Sequence, residues 1–276
     1  GEDAQGVLTG IRFLKDVNLG KDVRLSGNVV VIGGGNVAID VARTAIRVGA
    51  NSVHMYALES REEMPALPEE IEEAEAEGIV IHNGWGPKEI LAENGHVHKL
   101  ICKRCVSVFD ENHRFSPKYD EDTIVTCDAD TVLVSIGQSV EWGRLLDGTK
   151  VELKKNGTAV ADPFTYQTGE ADLFVGGDAF TGPKFAIDAI AAGKEGAVSL
   201  HRFAWPGQSQ TLGRDRREYR ALDTDNVEVE GFDNTPRQTS GHSSANSKTF
   251  RDDRLTFTEE QLKKETMQYI LKILIL

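Results

Sequence analysis

The sequence predicts an α/β fold built around a parallel β-sheet, and three observations support this prediction. Short apolar runs rich in β-branched residues recur along the chain and end at glycines, as is typical of strands buried on both faces of a parallel sheet. The first run is followed by a glycine turn, a helical pattern and a second strand, within the roughly 30 residues of a βαβ unit. The length of 276 residues suffices for one large domain or two modest ones.

Composition narrows the classes of function. The chain carries 31 Lys and Arg against 44 Asp and Glu, a net charge of −13. Phosphate backbones repel such an acidic protein, so we expect no nucleic acid partner. No apolar stretch approaches the ~18–20 residues of a membrane span, and the first residues lack the basic and apolar regions of a signal peptide. Three cysteines are too few for a disulfide framework. We therefore expect a cytoplasmic protein without a membrane span.

The first elements of the predicted sheet lie near the N-terminus. Residues 7–14 place apolar side chains at helical spacing within an approach segment. Residues 28–32 (NVVVI) predict a buried strand, residues 37–48 a helix, and residues 52–58 a second strand. Gly49 supplies the stop signal at the end of the helix.

The middle of the chain predicts further strands and a charged helix. Residues 68–77 predict a short helix with six glutamates, which we interpret as a solvated face. Residues 78–82 and 130–138 predict strands of the main sheet. Between them, residues 97–109 and 123–127 predict an antiparallel excursion.

Two cysteines, Cys102 and Cys105, have the C-x-x-C spacing of a redox pair or of half a metal site. They lie, however, in the alternating apolar pattern of a predicted strand. Redox pairs of this spacing usually lie at a helix N-terminus, where the dipole lowers the thiol pKa. Since no second C-x-x-C completes four ligands, the pattern favours structural cysteines, and we expect no metal site.

The C-terminal part of the chain changes in character along its length. Residues 173–178 predict a strand, and residues 185–203 predict a helix whose Ala and Gly residues permit close packing against a sheet or a ligand. Residues 206–253 are polar and predict an extended arm, while residues 256–275 return to a helical pattern with an apolar end.

The motif Gly33-x-Gly35-x-x-Ala38 follows a predicted strand and begins a helix. The first glycine permits the tight turn, the second lets a pyrophosphate approach the backbone, and the small Ala38 keeps helix and strand close. Free N–H groups and the helix dipole then face the anion. An ordinary βα turn is the alternative, but the strand–turn–helix context favours dinucleotide binding by a Rossmann-like domain.

The end of the second predicted strand bears on the choice between NAD and NADP. Glu59 lies 24 residues after Gly35, near the ~20-residue spacing of an acidic ribose ligand. Its carboxylate would accept hydrogen bonds from the ribose 2′-hydroxyl and repel a 2′-phosphate. Arg61 could still clamp a phosphate, so the sequence favours NAD(H) over NADP(H) and leaves both open.

Four segments, in this order, resemble the glutamate synthase small-subunit family of flavin- and pyridine-nucleotide-dependent oxidoreductases. They are Gly33–Gly49 (GGGNVAIDVARTAIRVG), Arg61–Ala66 (REEMPA), Asp130–Gln138 (DTVLVSIGQ) and Gly176–Gly193 (GGDAFTGPKFAIDAIAAG). The resemblance covers roughly residues 1–205. It implies a nicotinamide-binding domain inserted into an FAD-binding domain, with electrons passing from NAD(P)H to FAD and on to iron–sulfur clusters or a partner subunit.

The resemblance also assigns residues to the two cofactors. Gly177 and Asp178 match the second flavin motif, and Lys184 begins the segment whose helix N-terminus would face the flavin and stabilise negative charge on it. Gly137 and Gln138 match the turn between the two domains. The complete predicted set of cofactor-binding residues is Gly33, Gly34, Gly35, Asn36, Val37, Ala38, Glu59, Ser60, Arg61, Gly137, Gln138, Gly177, Asp178, Lys184, Phe185, Ala186 and Asp188.

Two departures from the family bear on function. No strand–glycine–helix unit precedes residue 28, so we expect the FAD site to be incomplete in this chain. Tyr269 and Lys272 stand where the family tail carries cysteines, so no cluster is assigned. We therefore expect two kinds of partner: an upstream segment or chain that supplies the rest of the flavin domain, and an iron–sulfur or other electron-acceptor subunit.

The leading functional hypothesis is a fragment or subunit of an NAD(P)H-dependent FAD oxidoreductase. Hydride transfer between stacked rings needs positioning rather than an acid or base, so we predict no catalytic residue. The alternative is a non-catalytic nucleotide-binding or scaffold subunit of an electron-transfer complex. The predicted domains are an approach segment from the flavin domain (1–27), an NAD(P)-binding domain (28–136), the C-terminal part of an FAD-binding domain (137–204), and a polar arm with a terminal helix (205–276).

Overall fold

The computed structural model describes residues 1–112, 114–214 and 236–266 of the chain. In chain order, the helices and strands are β1 (Val7–Thr9), α1 (Gly10–Asn18), β2 (Asn28–Ile32), α2 (Asn36–Arg47), β3 (Ser52–Ala57), α3 (Pro68–Ala76), β4 (Val80–Asn83), β5 (Trp85–Glu93), β6 (His96–Phe109), β7 (Phe115–Asp128), β8 (Thr131–Val134), α4 (Asp178–Thr181) and α5 (Ala186–Ala204). Residues 259–266 are also helical. The remainder of the predicted terminal helix, including Tyr269 and Lys272, lies outside the described residues.

Two sheets organise these elements. One is a five-stranded parallel sheet with the spatial order β1-β8-β2-β3-β4, and the other is a three-stranded antiparallel sheet with the order β5-β6-β7. The antiparallel strands lie in the chain between β4 and β8. This arrangement confirms the predicted α/β class with a parallel sheet and an antiparallel excursion.

Strand β2 is buried on both faces because it lies in the middle of the parallel sheet. One face of the sheet packs against Phe13 of α1, Ile39 of α2 and Ile71 of α3. The opposite face packs against Leu100 and Cys102 of β6. This double coverage explains why β2 is a continuous apolar run rather than an alternating one.

Three strands differ from the sequence prediction. Within residues 7–14, the first three form β1, which is too short to show an alternating pattern. Strand β5 is not predicted at all, and β7 begins at Phe115 rather than at residue 123, because both present many polar side chains to solvent. The predicted strand at 173–178 is wrong: only an isolated bridge joins Phe174 to Gln167, and Gly177 turns the chain with φ of +61°.

The glutamates of α3 and its C-cap also correct a prediction. Arg43 of α2 donates hydrogen bonds to Glu73 at 2.7 Å, to Glu77 at 2.8 Å and, at 3.3 Å, to Glu70. Glu77 is only 5% exposed. The prediction of a solvated face is therefore wrong for three of the six carboxylates. Their partner Arg43 lies 27 to 34 residues away along the chain, and local charge counting does not reveal it.

The described chain divides into two compact units: residues 1–136 with 236–266, and residues 137–214. Segment 236–266, which the sequence predicts as part of an arm, joins the first unit. It does so through an ion pair of Arg254 with Glu73 at 2.8 Å and a hydrogen bond from Arg47 to the carbonyl of Thr249 at 2.8 Å. The second unit consists of turns, isolated bridges, α4 and α5.

Two features are absent from the described part of the chain. None of its helices is both long and apolar enough to cross a membrane. None of its groups of His, Cys, Asp and Glu has the arrangement of a metal site.

Candidate functional site

The glycine turn between β2 and α2 requires glycine at Gly33 for two reasons. Its φ is +139°, a conformation that residues with a Cβ rarely adopt. A Cβ at this position would also lie 2.5 Å from the carbonyl oxygen of Ser135. The Gly33 N–H donates a hydrogen bond to the carbonyl of Tyr56 at 2.9 Å, which fixes the turn to the end of β3.

At Gly34 the backbone of the turn lies close to the carboxylate of Glu59. A Cβ on Gly34 would lie 2.6 Å from Oε2 of Glu59 and 3.1 Å from the Cβ of Ala57. The backbone of Glu59 is itself anchored, because its carbonyl accepts hydrogen bonds from the Gly84 N–H and the Asn83 side chain. The structure thus brings together two parts of the predicted site, the glycine turn and the residue that follows β3.

The backbone at Gly35 is open on one side. Gly35 is the N-cap of α2, with φ of −91°, and it provides no side-chain cap. A Cβ here would meet nothing nearer than Pro65 at 3.9 Å, so glycine is not required by the fold at this position. Since the first N–H groups of a helix have no partner within the helix, this end of α2 is suited to an anion.

Segment 59–67 is fastened over the turn by two hydrogen bonds. The Asn36 side chain accepts a hydrogen bond from the Leu67 N–H at 2.8 Å, and the Gly34 carbonyl accepts one from the Ala66 N–H at 3.2 Å. Next to Asn36 in α2, Val37 is exposed, whereas Ala38 has no exposed surface and allows the helix to lie close to the sheet. The segment that carries Glu59 and Arg61 is therefore attached at its C-terminal end to the start of α2.

Arg61 is engaged by a carboxylate of α3. Its two terminal nitrogens donate to the two oxygens of Glu75 at 2.7 and 2.9 Å. Ser60 and Glu63 cap each other, since each side chain accepts a hydrogen bond from the other's N–H. The short segment after β3 is thus ordered by its own contacts.

The environments of Cys102 and Cys105 disfavour their thiolates. Burial, followed by the nearby Cys127, raises the pKa of Cys102 to about 12. Burial also raises the pKa of Cys105, and the carboxylate of Glu59 adds to this effect. Both cysteines lie in β6 and are free, which agrees with the predicted structural role.

The second unit contains the other predicted motif. A Cβ on Gly177 would lie 3.3 Å from the Cβ of Ala189, and one on Gly176 would lie 3.1 Å from the Cβ of Ala192. The glycines therefore let the chain pass close to α5. The Asp178 carboxylate accepts a hydrogen bond from the Lys184 N–H at 3.3 Å and so closes the loop that leads to this helix.

The N-terminal end of α5 is exposed. Phe185 is its N-cap and provides no side-chain cap, while Asp188 lies in its first turn. Lys184, Ala186 and Asp188 are exposed as well. In the same unit, Gly137 has φ of +80° and nothing within 4 Å of its Cβ position, and Gln138 beside it is exposed.

Sequence reasoning missed one residue at the glycine turn. Ser135 follows β8, and its N–H donates to the carbonyl of Ile32 at 2.8 Å. Its hydroxyl is buried and has no hydrogen-bond partner among the described residues. The only signal was its position in the segment DTVLVSIGQ, one residue beyond an apolar run, and this does not distinguish it from an ordinary strand end.

Curated proteins and solved structures show similarity to most of the chain. The NADP(+)-dependent formate dehydrogenase subunit beta of Moorella thermoacetica is 37% identical over 219 residues, which are 78% of this chain and 31% of that protein. The glutamate synthase [NADPH] small chain of Azospirillum brasilense is 29% identical over 178 residues, 64% of this chain and 37% of that protein. The chain thus spans about a third of the length of these relatives.

The structural matches concern the fold alone. FprA of Mycobacterium tuberculosis, solved in complex with NADPH, has a TM-score of 0.58 at 17% identity and covers 74% of this chain and 60% of its own. Thioredoxin reductase of T. acidophilum has a TM-score of 0.50 at 20% identity, covering 63% of this chain and 51% of its own. In sequence, residues 1–193 match the pyridine nucleotide-disulphide oxidoreductase family. Because this match includes the glycine turn, Glu59 and the motif of the second unit, the chain belongs to the pyridine nucleotide-disulphide oxidoreductase family.

Proposed function

We propose that this chain is the nucleotide-binding part of an NAD(P)H-dependent flavoprotein oxidoreductase, in which hydride passes from the nicotinamide to FAD and electrons continue to a partner. One observation carries the proposal: the backbone at Gly35 is open at the uncapped N-terminus of α2, beside the Glu59 carboxylate. Anionic pyrophosphate and a ribose hydroxyl are complementary to these two groups.

The residues of the first unit suit a dinucleotide in shape and charge. A side chain at position 35 would fill the space next to the helix N-terminus, and glycine leaves it free. The first N–H groups of α2 would hold the pyrophosphate, and Glu59 would accept hydrogen bonds from the ribose. When bound, the nicotinamide supplies the hydride, and the protein's contribution is to position it.

We further propose that NAD(H) is preferred over NADP(H). The Glu59 carboxylate lies against Gly34 and would repel a 2′-phosphate at the adenosine ribose. Arg61, the cation that follows it in the sequence, is paired with Glu75. The relatives from Moorella and Azospirillum are named for NADP(+) and NADPH, so cofactor preference is the property to measure first.

The second unit fits part of an FAD site. The loop that Asp178 closes leads to the uncapped N-terminus of α5, where a helix dipole would stabilise the reduced flavin. Gly177 and Asp178 with Lys184–Asp188 would hold the flavin in this unit. The predicted positions Gly137 and Gln138 would line the nicotinamide side.

A partner surface follows from the apolar residues of α5. Phe185, Ile187 and Ile190 are each more than half exposed, and large apolar side chains in contiguous positions mark interaction surfaces. We propose that the remaining part of the flavin domain covers them and that a further subunit accepts the electrons. This is consistent with relatives whose names describe subunits of larger enzymes and of which this chain spans a third. An acceptor of the glutamate synthase type is one of the possibilities that the relatives suggest.

The test of the nucleotide site is a calorimetric titration of the full chain with NADH. The variant Gly35→Val places a side chain in the open space at a backbone φ of −91°, which residues with a Cβ adopt, although Val is a weaker N-cap than Gly. We expect at least a tenfold loss of affinity in a protein whose folding is verified by circular dichroism. The control Gly193→Ala adds a methyl group at an equally open position in α5 and should bind NADH like the parent. Unchanged affinity in Gly35→Val would contradict the proposed site.

The preference for NAD(H) is tested by Glu59→Arg. Replacing the carboxylate with a guanidinium removes the repulsion of a 2′-phosphate and adds attraction, so the ratio of the two dissociation constants should move toward NADPH by about tenfold or more, or about 1.4 kcal/mol. Glu62→Arg, an exposed change three residues further along, controls for the added charge. An unchanged ratio in Glu59→Arg would exclude Glu59 as the ribose ligand.

The alternative of a scaffold subunit is distinguished by electron transfer. Once the complete flavin domain is supplied, NADH should bleach the flavin absorbance and reduce a dye. Tight NADH binding without flavin reduction would favour the non-catalytic subunit.

A further inference from the structure

Arg61, which follows Glu59 by two residues, is held by a residue that no nucleotide motif contains. Arg61 donates from both terminal nitrogens to both oxygens of Glu75, at 2.7 and 2.9 Å. This is the paired fork geometry in which a guanidinium binds a carboxylate or a phosphate. The carboxylate of Glu75 therefore occupies the binding face of Arg61 that a 2′-phosphate would need.

Helix α3 presents Glu75 independently of Arg61. Ile71 and Ala74 bury one side of α3 in the core. Glu73 and Glu77 anchor the helix to α2 through Arg43. These contacts fix the helix, and therefore the backbone that carries Glu75, without any contribution from Arg61.

The ion pair between Arg61 and Glu75 is weak enough for a phosphate to displace the carboxylate. The side chains of Arg61 and Glu75 are 38% and 44% exposed, and exposed ion pairs contribute only about 0–1 kcal/mol. A 2′-phosphate carries more negative charge than a carboxylate and would compete for the same nitrogens. A 2′-phosphate must therefore displace Glu75 from Arg61, which slightly lowers the free energy gained on binding NADPH. Glu75 exerts this effect from α3 and not from the segment that follows β3.

We propose that Glu75 is a specificity-determining residue: it holds Arg61 away from the ribose 2′-position and thereby favours NAD(H) over NADP(H). This inference rests on the proposed function and deepens it. It assigns cofactor selection to two carboxylates that act differently. Glu59 meets the ribose, whereas Glu75 acts only through Arg61.

The test compares dissociation constants for NADH and NADPH, measured by calorimetry on the full chain. In Glu75→Gln we expect NADPH affinity to rise about two- to fivefold, the range set by an exposed ion pair, with NADH affinity unchanged. The double variant Arg61→Gln/Glu75→Gln should lose this gain, because Glu75 acts through Arg61. Circular dichroism establishes that each variant is folded.

A matched control separates the ion pair from charge alone. Glu72→Gln removes the same charge from the same helix, at an exposed side chain that takes part in no ion pair of the described residues. An equal gain in NADPH affinity in Glu72→Gln, or a gain that persists without Arg61, would overturn the role of Glu75. If the unsubstituted chain binds neither nucleotide, the proposed function itself is refuted, and the role of Glu75 with it.

Discussion

The two units bury their apolar residues very differently. In the first unit, both faces of the parallel sheet are covered, and residues such as Val30 and Ile39 have no exposed surface. In the described part of the second unit, the buried apolar residues are Ala159, Val175 and Ala192, all of which are small or medium in size. The comparison teaches that the first unit builds an extensive apolar core from its own residues, whereas the described part of the second buries little, which is why we propose that a partner surface covers α5.

The largest expected effect tests the core of the first unit. Ile39→Ala should destabilise this unit by about 2–5 kcal/mol, because it leaves a cavity between α2 and the sheet. Hydrogen–deuterium exchange reports the loss in each unit separately. Protection should fall across β2, α2 and β3 and remain unchanged in residues 137–214; a loss confined to the second unit would contradict the comparison.

An intermediate effect comes from the carboxylates that fasten α3. Burial alone would raise the pKa of Glu73, but hydrogen bonds from Arg254 and Arg43 outweigh it and lower the pKa below 4.5. A lowered carboxyl pKa contributes stability above the unfolded-state value, and this contribution disappears as the pH falls through the folded-state value. Urea denaturation between about pH 7 and pH 3 should therefore show an acid loss that is smaller in Glu73→Gln.

Two comparisons isolate this titration. Glu72→Gln, which removes an exposed carboxylate of the same helix, should keep the acid slope of the parent. Burial, with Glu70 adding to it, raises the pKa of Asp40, so Asp40 contributes a slope of opposite sign, and this slope is common to all the variants. Equal slopes in Glu73→Gln and the parent would show that the arginine contacts do not matter in solution.

The smallest expected effect lies in the second unit. Ile187 is 68% exposed, so Ile187→Ala should change the free energy of unfolding by less than about 0.5 kcal/mol. The same substitution should reduce self-association measured by light scattering, because it removes part of the exposed apolar face. A loss above about 1 kcal/mol would show that α5 is already covered within the chain, and the contrast between the units would then be wrong.

The sequence predicts those elements of the fold whose residue pattern lies within one short segment. Three neighbouring segments show this: the run NVVVI, the glycine turn and the helix that follows. The residue pattern of each one predicts its secondary structure. Strand β5 and the first half of β7 expose polar side chains at an edge of the antiparallel sheet, so neither shows a clean alternation. The apolar run at 173–178 has strand-like residues, but Gly177 turns it at its end.

The candidate site likewise contains residues that the sequence predicts and residues that only the packing of the fold reveals. The positions of Gly33 and Glu59 follow from motif spacing, and the structure brings them together at the end of β3. The partner of Arg61 does not follow from spacing, because Glu75 lies on another element and reaches it only through the packing of α3. Ser135 likewise acquires its place only when β8 pairs with β2. The roles of Gly35, Glu59 and Glu75 in cofactor binding remain predictions, which the variants described above address.

Strands β1 and β8 pair side by side, with Val7 opposite Val132 and Thr9 opposite Val134. Because these strands are parallel, the chain enters the sheet at the start of β1 and leaves it at the end of β8, one strand spacing of about 4.8 Å to the side and two residues further along the strand direction. The two points at which residues 7–134 join the rest of the chain are therefore close in space, and closing a loop across them costs little entropy. Laboratory chimaeras that carry residues 7–134 in place of a short surface loop should accordingly tolerate fusion points just before β1 and just after β8.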